Sequence, residues 1–293
     1  QGLTYFKVCS LSPVVFTFND ASQPTVNANY EIIWGDGPSV PYNSPIAPAG
    51  VTHTYNVGNY IMQYIVLGTN GCADTTRYGV FVGSAPNGGI GTENPDLYKC
   101  TGATFSFPFL PSTFSNSIGT NYYISVDDGS APVTYTQATL PPAFIHTFNT
   151  SSCGAGGGNN YFTVSILITN PCNIAGIPGT IGGIKISQTP VANFTVSRDT
   201  LCVNQSVTLT DNSSNQYVTE NGSCSPGKSI WSVTPGVAGV DWNVVSGSLG
   251  NDNGDPLPSG WTAGSTTLQV QFLTPGSYAL HLKTGGSDSC GIA

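Results

Sequence analysis

Charged residues are scarce in this chain of 293 residues, and their scarcity argues against whole classes of protein. Lys, Arg, Asp and Glu together make up 8% of the sequence, against roughly a quarter in an ordinary soluble protein. Only seven residues are Lys or Arg, and the formal net charge is −8. Nucleic-acid binding requires basic side chains that neutralise successive phosphates. We therefore expect no nucleic-acid partner.

Long apolar segments and familiar catalytic motifs are also missing. The most apolar stretch, residues 174–186, is broken by Gly and Pro, so the sequence predicts no membrane span. It contains no G-x-S-x-G elbow, no H-E-x-x-H pair and no P-loop, and only three His. None of the Cys form a C-x-x-C pair, which argues against zinc and thioredoxin-type chemistry. We expect a protein that is not an enzyme.

What the sequence does contain favours short strands. Gly (36) and Pro (21) are abundant, and 11% of residues are aromatic. In FTVSILITN, residues 162–170, the apolar side chains alternate with polar ones, and only Leu167 breaks the pattern. A period of two with one apolar face is typical of half-buried antiparallel strands. The sequence therefore predicts an all-β protein of sandwiches made from two packed sheets.

The cysteines divide the chain into three repeats. An opening cysteine precedes an alternating strand in each repeat (Cys9, Cys100 and Cys202), and a closing cysteine follows another strand (Cys72, Cys172 and Cys290). A Gly lies 14 residues before every closing cysteine. The repeats predict three domains, residues 1–84, 85–188 and 189–293. They also predict one disulfide inside each domain: Cys9–Cys72, Cys100–Cys172 and Cys202–Cys290.

Two further cysteines, Cys153 and Cys224, lie in insertions that the other repeats lack. They could pair with each other across the boundary between the second and third domains, or remain free thiols. An even number of cysteines in an oxidising compartment favours the pairing.

An Asp and a His recur at matching places in the first two repeats. Asp36 in WGDG is followed 17 residues later by His53, and Asp128 in VDDG is followed 18 residues later by His146. An exposed carboxylate could act as a base or bind calcium, or its oxygens could cap a tight turn. A lone carboxylate lacks an acid–base partner, and two domains would rarely each evolve the same catalytic His. We therefore predict structural roles for all four side chains.

The combination of the W-G-D-G turn, H-T-Y or H-T-F, G-x-Y and a strand ending in T-N resembles the PKD domain. This resemblance implies tandem immunoglobulin-like sandwiches of cell-surface and secreted proteins. It is strong over residues 1–82, good over 98–188 and weaker over 189–293, where the GDG turn is missing. It also implies that the first domain lacks its start and the third its last strand. The added cysteines resemble those of large Bacteroidota surface proteins, including gliding-motility adhesins and other type IX secretion cargo.

Several residues are candidates for ligands or modification. The oxygen-rich loop at residues 251–255, with Asp252 and Asp255, could bind calcium, although it lacks the EF-hand spacing and a plain turn is the alternative. The Bacteroidota O-glycosylation pattern fits Thr75 and Thr200. Trp231, Trp242 and Trp261 could stack on sugar rings if they form an exposed row.

The sequence as a whole favours a non-catalytic extracellular adhesin or stalk segment at the cell surface. The expected partners are cell-surface or extracellular polysaccharide and protein, the secretion machinery of the cell envelope and further repeats of the same chain. One alternative is a substrate-binding or spacer module of a secreted polysaccharide- or protein-degrading enzyme. Another is a self-assembling fibre subunit that exchanges strands.

Overall fold

The computed structural model describes residues 3–19, 26–37 and 50–293. Within these ranges the regular elements are β-strands and short 3₁₀ helices, which confirms the all-β prediction. The strands form three β-sandwiches in tandem, each with its own apolar core. Residues 1–2, at the start of the first predicted domain, lie outside the described ranges. None of the helices in the described residues has the length and hydropathy that crossing a membrane requires.

The described residues of the first sandwich form six strands: β1 (Thr4–Val8), β2 (Val14–Phe18), β3 (Asn27–Ile33), β4 (Val51–Tyr55), β5 (Gly58–Gly68) and β6 (Ala73–Val82). One sheet has the order β1-β6-β5-β3, and the other pairs β2 with β4. Strand β1 runs parallel to β6, and the other pairs are antiparallel. The core between the sheets is centred on Ile32, Tyr55, Met62, Val80 and Val82.

The second sandwich contains seven strands: β7 (Tyr98–Cys100), β8 (Ala103–Pro108), β9 (Asn121–Val126), β10 (Val133–Thr136), β11 (Ala143–Phe148), β12 (Phe162–Asn170) and β13 (Asn173–Ser187). Its sheets have the orders β10-β9-β12-β13-β7 and β11-β8. Short 3₁₀ helices span Pro111–Ser115, Gln137–Thr139 and Gly156–Gly158. The alternation predicted for β12 is confirmed, because Phe162, Val164, Ile166 and Ile168 are buried while Leu167 is exposed.

The third sandwich contains eight strands: β14 (Phe194–Val196), β15 (Ser206–Asp211), β16 (Tyr217–Val218), β17 (Cys224–Ser225), β18 (Lys228–Thr234), β19 (Trp242–Ser246), β20 (Thr267–Phe272) and β21 (Ala279–Gly285). The main sheet has the order β14-β15-β20-β19, while β18 pairs with β21 and β16 with β17. Short 3₁₀ helices span Pro258–Gly260 and Asp288–Cys290.

The three tryptophans of the third sandwich are buried, so they cannot form the exposed sugar-stacking row considered above. Trp231, Trp242 and Trp261 are 2%, 5% and 3% exposed. Trp231 and Trp242 belong to the core of this sandwich. The indole N–H of Trp261 donates to the carbonyl of Asp255 at 2.9 Å, and the N–H of Trp231 donates to Ser265 at 2.9 Å. Burial of large aromatic rings in a small core explains their place here.

The predicted disulfides Cys9–Cys72, Cys100–Cys172 and Cys202–Cys290 are wrong. In the first sandwich Val8, next to Cys9, pairs with Val82 at one end of β6, whereas Cys72 precedes Ala73 at the other end. Ten residues of strand at about 3.3 Å each separate these ends by roughly 30 Å. A disulfide needs Cα atoms roughly 4.4–6.8 Å apart. The opening and closing cysteines therefore lie at opposite ends of their own sandwich.

Candidate functional site

The distinctive chemistry of the described chain lies at the junctions between sandwiches, where all three disulfides cross from one sandwich to the next. Cys9 is bonded to Cys172, Cys100 to Cys290 and Cys153 to Cys224, with Cα–Cα distances of 5.8, 5.5 and 5.7 Å. The sequence separations are 163, 190 and 71 residues. Cys72 and Cys202 are exposed free thiols. The expectation of one disulfide inside each domain is thus replaced by covalent links between neighbours.

The junction between the first and second sandwiches combines Cys9–Cys172 with direct hydrogen bonds. The ammonium of Lys7, on β1, donates to the carbonyl of Pro171 at 2.6 Å. The side-chain amide of Asn170 donates to the carbonyl of Ser84 at 2.9 Å. Both hydrogen bonds join the first sandwich, or the segment that follows β6, to the turn that carries Cys172. These two hydrogen bonds and the Cys9–Cys172 disulfide therefore hold the same turn against the first sandwich.

Asn170 organises this turn from the inside. Its side chain is almost completely buried, and its Oδ1 accepts the backbone N–H groups of Cys172 at 2.9 Å and Asn173 at 3.2 Å. Its amide also donates to the hydroxyl of Thr120 at 3.3 Å. An Asn that bonds to the backbone two residues on mimics a backbone turn. This geometry fixes the direction in which Cys172 points.

The junction between the second and third sandwiches is held by a small hairpin, β16–β17, which lies against β13. Val218 of the hairpin is fully buried and donates its backbone N–H to the hydroxyl of Ser187 at 2.9 Å. The phenol of Tyr98 donates to the carbonyl of Val218. The backbone groups of this buried residue are thus paired across the junction, which avoids the cost of leaving them unsatisfied.

The same hairpin is fastened at its tip. Lys185 donates to the carbonyl of Glu220 at 2.7 Å, and the amide of Asn160 donates to the carbonyl of Gly222 at 2.9 Å. The Cys153–Cys224 bond follows beside them, and joins the two insertions that the sequence marked as unusual. Together with Cys100–Cys290, it ties these two sandwiches at two separate points. Two disulfides restrict both bending and twisting of one sandwich relative to the other, whereas a single disulfide permits rotation about it.

The recurring Asp and His side chains form ion pairs or hydrogen bonds inside their own sandwiches. His53 Nε2 lies 2.8 Å from Asp36 Oδ2, and its ring stacks on Trp34 with centroids 4.4 Å apart. His146 Nε2 lies 2.6 Å from Asp128 Oδ2. The sequence spacing identified these four residues but not their pairing. Each His joins the strand it occupies, β4 or β11, to the turn after β3 or β9.

These turns are stiffened by further contacts. The phenol of Tyr55, which is fully buried, donates to the carbonyl of Trp34 at 2.9 Å. Burial raises the pKa of Tyr55, and the nearby Asp36 raises it further. At Asp128, burial alone would raise the pKa, but hydrogen bonds from Ser130 and His146 outweigh it and hold the pKa of the carboxyl below its usual range.

The candidate calcium loop is closed by its own polar contacts. Asp252 accepts the backbone N–H of Gly254 at 3.2 Å, and Lys283 lies 3.3 Å from its other oxygen. These hydrogen bonds, with the Lys283 ammonium, lower the pKa of Asp252. Asp255 accepts the N–H of Leu257 at 2.9 Å. In the described parts of the chain, no three His, Cys, Asp or Glu side chains cluster as a metal ion requires.

The candidate glycosylation residues both lie on the surface. Thr75 is exposed on β6, and Thr200 is exposed in the loop before Cys202. Their modification stays a prediction.

Comparisons with known proteins find likeness in structure alone. No protein-family model matches the chain, and no curated protein matches its sequence. Among solved structures, the fibronectin(III)-like modules of Clostridium thermocellum CbhA are 14% identical, with 64% of this chain and 90% of that chain covered, at a TM-score of 0.29. The amphioxus IgVJ-C2 molecule is 16% identical (61% and 99% covered, TM-score 0.26), and the extracellular cadherin domains 1–5 of protocadherin gamma B2 are 10% identical (96% and 54% covered, TM-score 0.32). These scores are low, so the fold described above rests on the chain's own strands and sheets.

Proposed function

We propose that this chain is a non-catalytic extracellular stalk or adhesin segment that bears load along a row of sandwiches. The observation that carries the proposal is that each disulfide joins neighbouring sandwiches. A disulfide inside a domain protects that domain's own fold, whereas one between domains maintains their arrangement. The second purpose suits a protein whose function is its shape and length.

The chemistry of the chain supports an extracellular, cell-surface location. Structural disulfides persist in oxidising environments, and three are present here. The sequence has few charged residues and many hydroxyl and amide side chains, which suits contact with polysaccharide or protein on other surfaces. Further repeats of the same kind are the natural neighbours of such a row.

The finer assignment remains part of the proposal. It comprises PKD-type domains divided at residues 84/85 and 188/189, and a Bacteroidota surface adhesin exported as type IX secretion cargo, with a role in attachment or gliding motility. The proposal also includes glycosylation at the exposed Thr75 and Thr200. The W-G-D-G turn and its His partner support it, because Asp36 and His53 are bonded within the turn region.

The rival proposal, a substrate-binding module of a secreted degrading enzyme, has lost its main support. It depended on exposed tryptophans in the third domain, and Trp231, Trp242 and Trp261 are buried.

Stretching the chain between residues 1 and 293 tests the load-bearing proposal. With the disulfides intact, the shortest covalent route has 8 residue steps before Cys9, 72 between Cys172 and Cys100, and 3 after Cys290. At about 3.5 Å per residue, this route limits the extension to roughly 300 Å, against roughly 1,000 Å after reduction. Single-molecule force spectroscopy measures both lengths.

The matched control is Cys72→Ser, which removes a free thiol. We expect the oxidised limit to be unchanged in this variant. An oxidised chain that extends as far as the reduced one would overturn the proposal, as would a limit that lengthens in Cys72→Ser.

A further inference from the structure

The two free thiols occupy repeat positions that are crosslinked elsewhere in the same chain. The opening cysteine of the first sandwich bonds to the closing cysteine of the second, and the opening cysteine of the second bonds to the closing cysteine of the third. The step is one sandwich forward in both cases. This series leaves over the opening cysteine of the third sandwich, Cys202, and the closing cysteine of the first, Cys72, and these two are the free ones.

Cys72 is held in the same local geometry as its bonded counterpart, Cys172. In both turns an Asn two residues earlier accepts the backbone N–H of the cysteine. The distance is 3.0 Å from Cys72 to Asn70 and 2.9 Å from Cys172 to Asn170. The turn that presents Cys172 to the first sandwich is therefore also present, without its partner, in the first sandwich itself.

Cys202 matches its bonded counterpart, Cys100, in the same way. The residue two positions later has a positive φ in both turns, 89° at Gly102 and 66° at Asn204. That residue donates its N–H to the last residue of the facing strand in both, Gly102 to Phe148 at 2.7 Å and Asn204 to Phe272 at 2.8 Å. Non-glycine residues rarely adopt a positive φ, so the shared geometry is specific.

The free cysteines lie at opposite ends of the row. An opening cysteine lies on the end of its sandwich that meets the next one, as Cys9 does, and a closing cysteine lies on the end that meets the previous one, as Cys172 does. Cys202 accordingly faces away from the second sandwich, beside a groove of about 920 Å³ that exposes Val196 and Val203. Two different complementary ends generate an open head-to-tail assembly instead of a closed dimer.

We propose that Cys202 of one copy of this chain forms a disulfide with Cys72 of a second copy, which continues the series of crosslinks from chain to chain. The first sandwich of the second copy then contacts the third sandwich of the first copy, with a crosslink of the same kind as the one between Cys9 and Cys172. Because each copy has one Cys202 and one Cys72, the product is a covalent linear polymer of copies.

A disulfide oxidant such as oxidised glutathione completes the chemistry. The thiolate of one cysteine attacks a glutathione sulfur and releases one glutathione thiolate, which leaves a mixed disulfide. The thiolate of the other cysteine then attacks the protein sulfur of that mixed disulfide and releases the second glutathione. The two protein thiols lose two protons and two electrons, and one glutathione disulfide becomes two glutathione thiols.

Complementary single variants test the pairing. The chain is incubated with oxidised glutathione and separated on a non-reducing gel. We expect a ladder of oligomers for the natural chain and a complete loss of the ladder for Cys72→Ser and for Cys202→Ser, each taken alone. An equal mixture of the two variants should form a dimer and nothing larger, since only one Cys202 and one Cys72 remain to meet. Mass spectrometry of the dimer band should find the Cys72–Cys202 peptide.

Three results would overturn the proposal: a mixture that stays monomeric, dimers of either variant alone in the amount seen in the mixture, or a Cys72–Cys202 bond within a single chain. Both cysteines are exposed and unbonded, so thermal melts of the variants should match the natural chain and exclude misfolding. The stretching limit above depends on Cys9, Cys172, Cys100 and Cys290 and on neither free cysteine, so failure of this proposal and failure of the load-bearing one are distinguishable.

Discussion

Cys9 is bonded to Cys172 of the following sandwich and not to Cys72 of its own. The bond links residues 163 positions apart and lies where the exit of the first sandwich meets the turn after β12. The chain-entropy model assigns larger stabilisation to longer loops. A link of this kind couples the unfolding of two sandwiches, because neither can extend freely while the other remains folded.

Removing the Cys153–Cys224 bond between the second and third sandwiches should loosen the β16–β17 hairpin without unfolding either sandwich. In the double variant Cys153→Ser/Cys224→Ser we expect faster amide hydrogen exchange in β16–β17 and unchanged exchange in β12. In the chain-entropy model this bond stabilises the folded state by about 4 kcal/mol, because it closes a 71-residue loop. Cys100–Cys290 still holds the sandwiches together. Hydrogen exchange followed by mass spectrometry measures the effect.

The matched control for the Cys153→Ser/Cys224→Ser variant is Cys72→Ser/Cys202→Ser, which removes two thiols and no disulfide. Its exchange should equal that of the natural chain. Unchanged protection of the hairpin in Cys153→Ser/Cys224→Ser would show that the hydrogen bonds of Val218 hold it alone.

The Asp128–His146 contact should make the second sandwich sensitive to acid. The pKa of Asp128 is lower in the folded state than in the unfolded chain, where it is about 3.9. Its ionised form therefore stabilises the fold above pH about 4, and this contribution is lost as the pH falls through the lowered pKa. Asp128→Asn removes it at every pH.

Thermal melts from pH 7 to pH 2 measure this contribution. The difference in Tm between the natural chain and Asp128→Asn should be largest above pH 4 and should shrink towards zero in stronger acid. The exposed Asp74→Asn controls for the change in net charge. A difference in Tm that stays constant over the whole range would contradict the assigned direction of the shift.

The W-G-D-G turn should tolerate a methyl group at one glycine and not at the other. Gly35 has a φ of +84°, and a Cβ there would lie 2.2 Å from the carbonyl oxygen of Ile61. Gly35→Ala should destabilise the first sandwich by more than about 1–2 kcal/mol, the cost of the left-handed conformation alone. Urea unfolding measures the change.

Gly37, in the same turn, provides the matched control. A Cβ there meets nothing within 4 Å, so Gly37→Ala should change stability by less than about 0.5 kcal/mol. Equal losses in the two variants would mean that the turn is not packed against β5 as described.

The sequence predicts the strands well because their side chains alternate, and alternation is a local property. The burial of Phe162, Val164, Ile166 and Ile168 on β12 follows directly from it. The repeats also locate the Asp and His residues, although their contacts with each other depend on how the strands fold back. His146 reaches Asp128 because β11 and β9 lie in the two sheets of one sandwich.

The disulfide pairing could not be predicted from spacing alone. With one opening and one closing cysteine per repeat, pairing within a repeat and pairing with the next repeat give the same pattern in sequence. The pairing depends on the length of β6. Val8 pairs with Val82 at one end of this ten-residue strand and Cys72 lies at the other end, so Cys72 is far from Cys9. The buried state of Trp231 and Trp242 was similarly invisible, because an aromatic side chain suits a core and a sugar surface equally well.

Peptide mapping of the native disulfides tests the central claim most directly. The chain is alkylated without reduction, digested in acid to prevent exchange, and analysed by mass spectrometry. We expect three linked peptide pairs, containing Cys9 with Cys172, Cys100 with Cys290 and Cys153 with Cys224, and alkylated Cys72 and Cys202 in chains that are not joined to a second copy. A peptide pair that links Cys9 to Cys72 would contradict the account, because that disulfide would lie within one sandwich instead of between two.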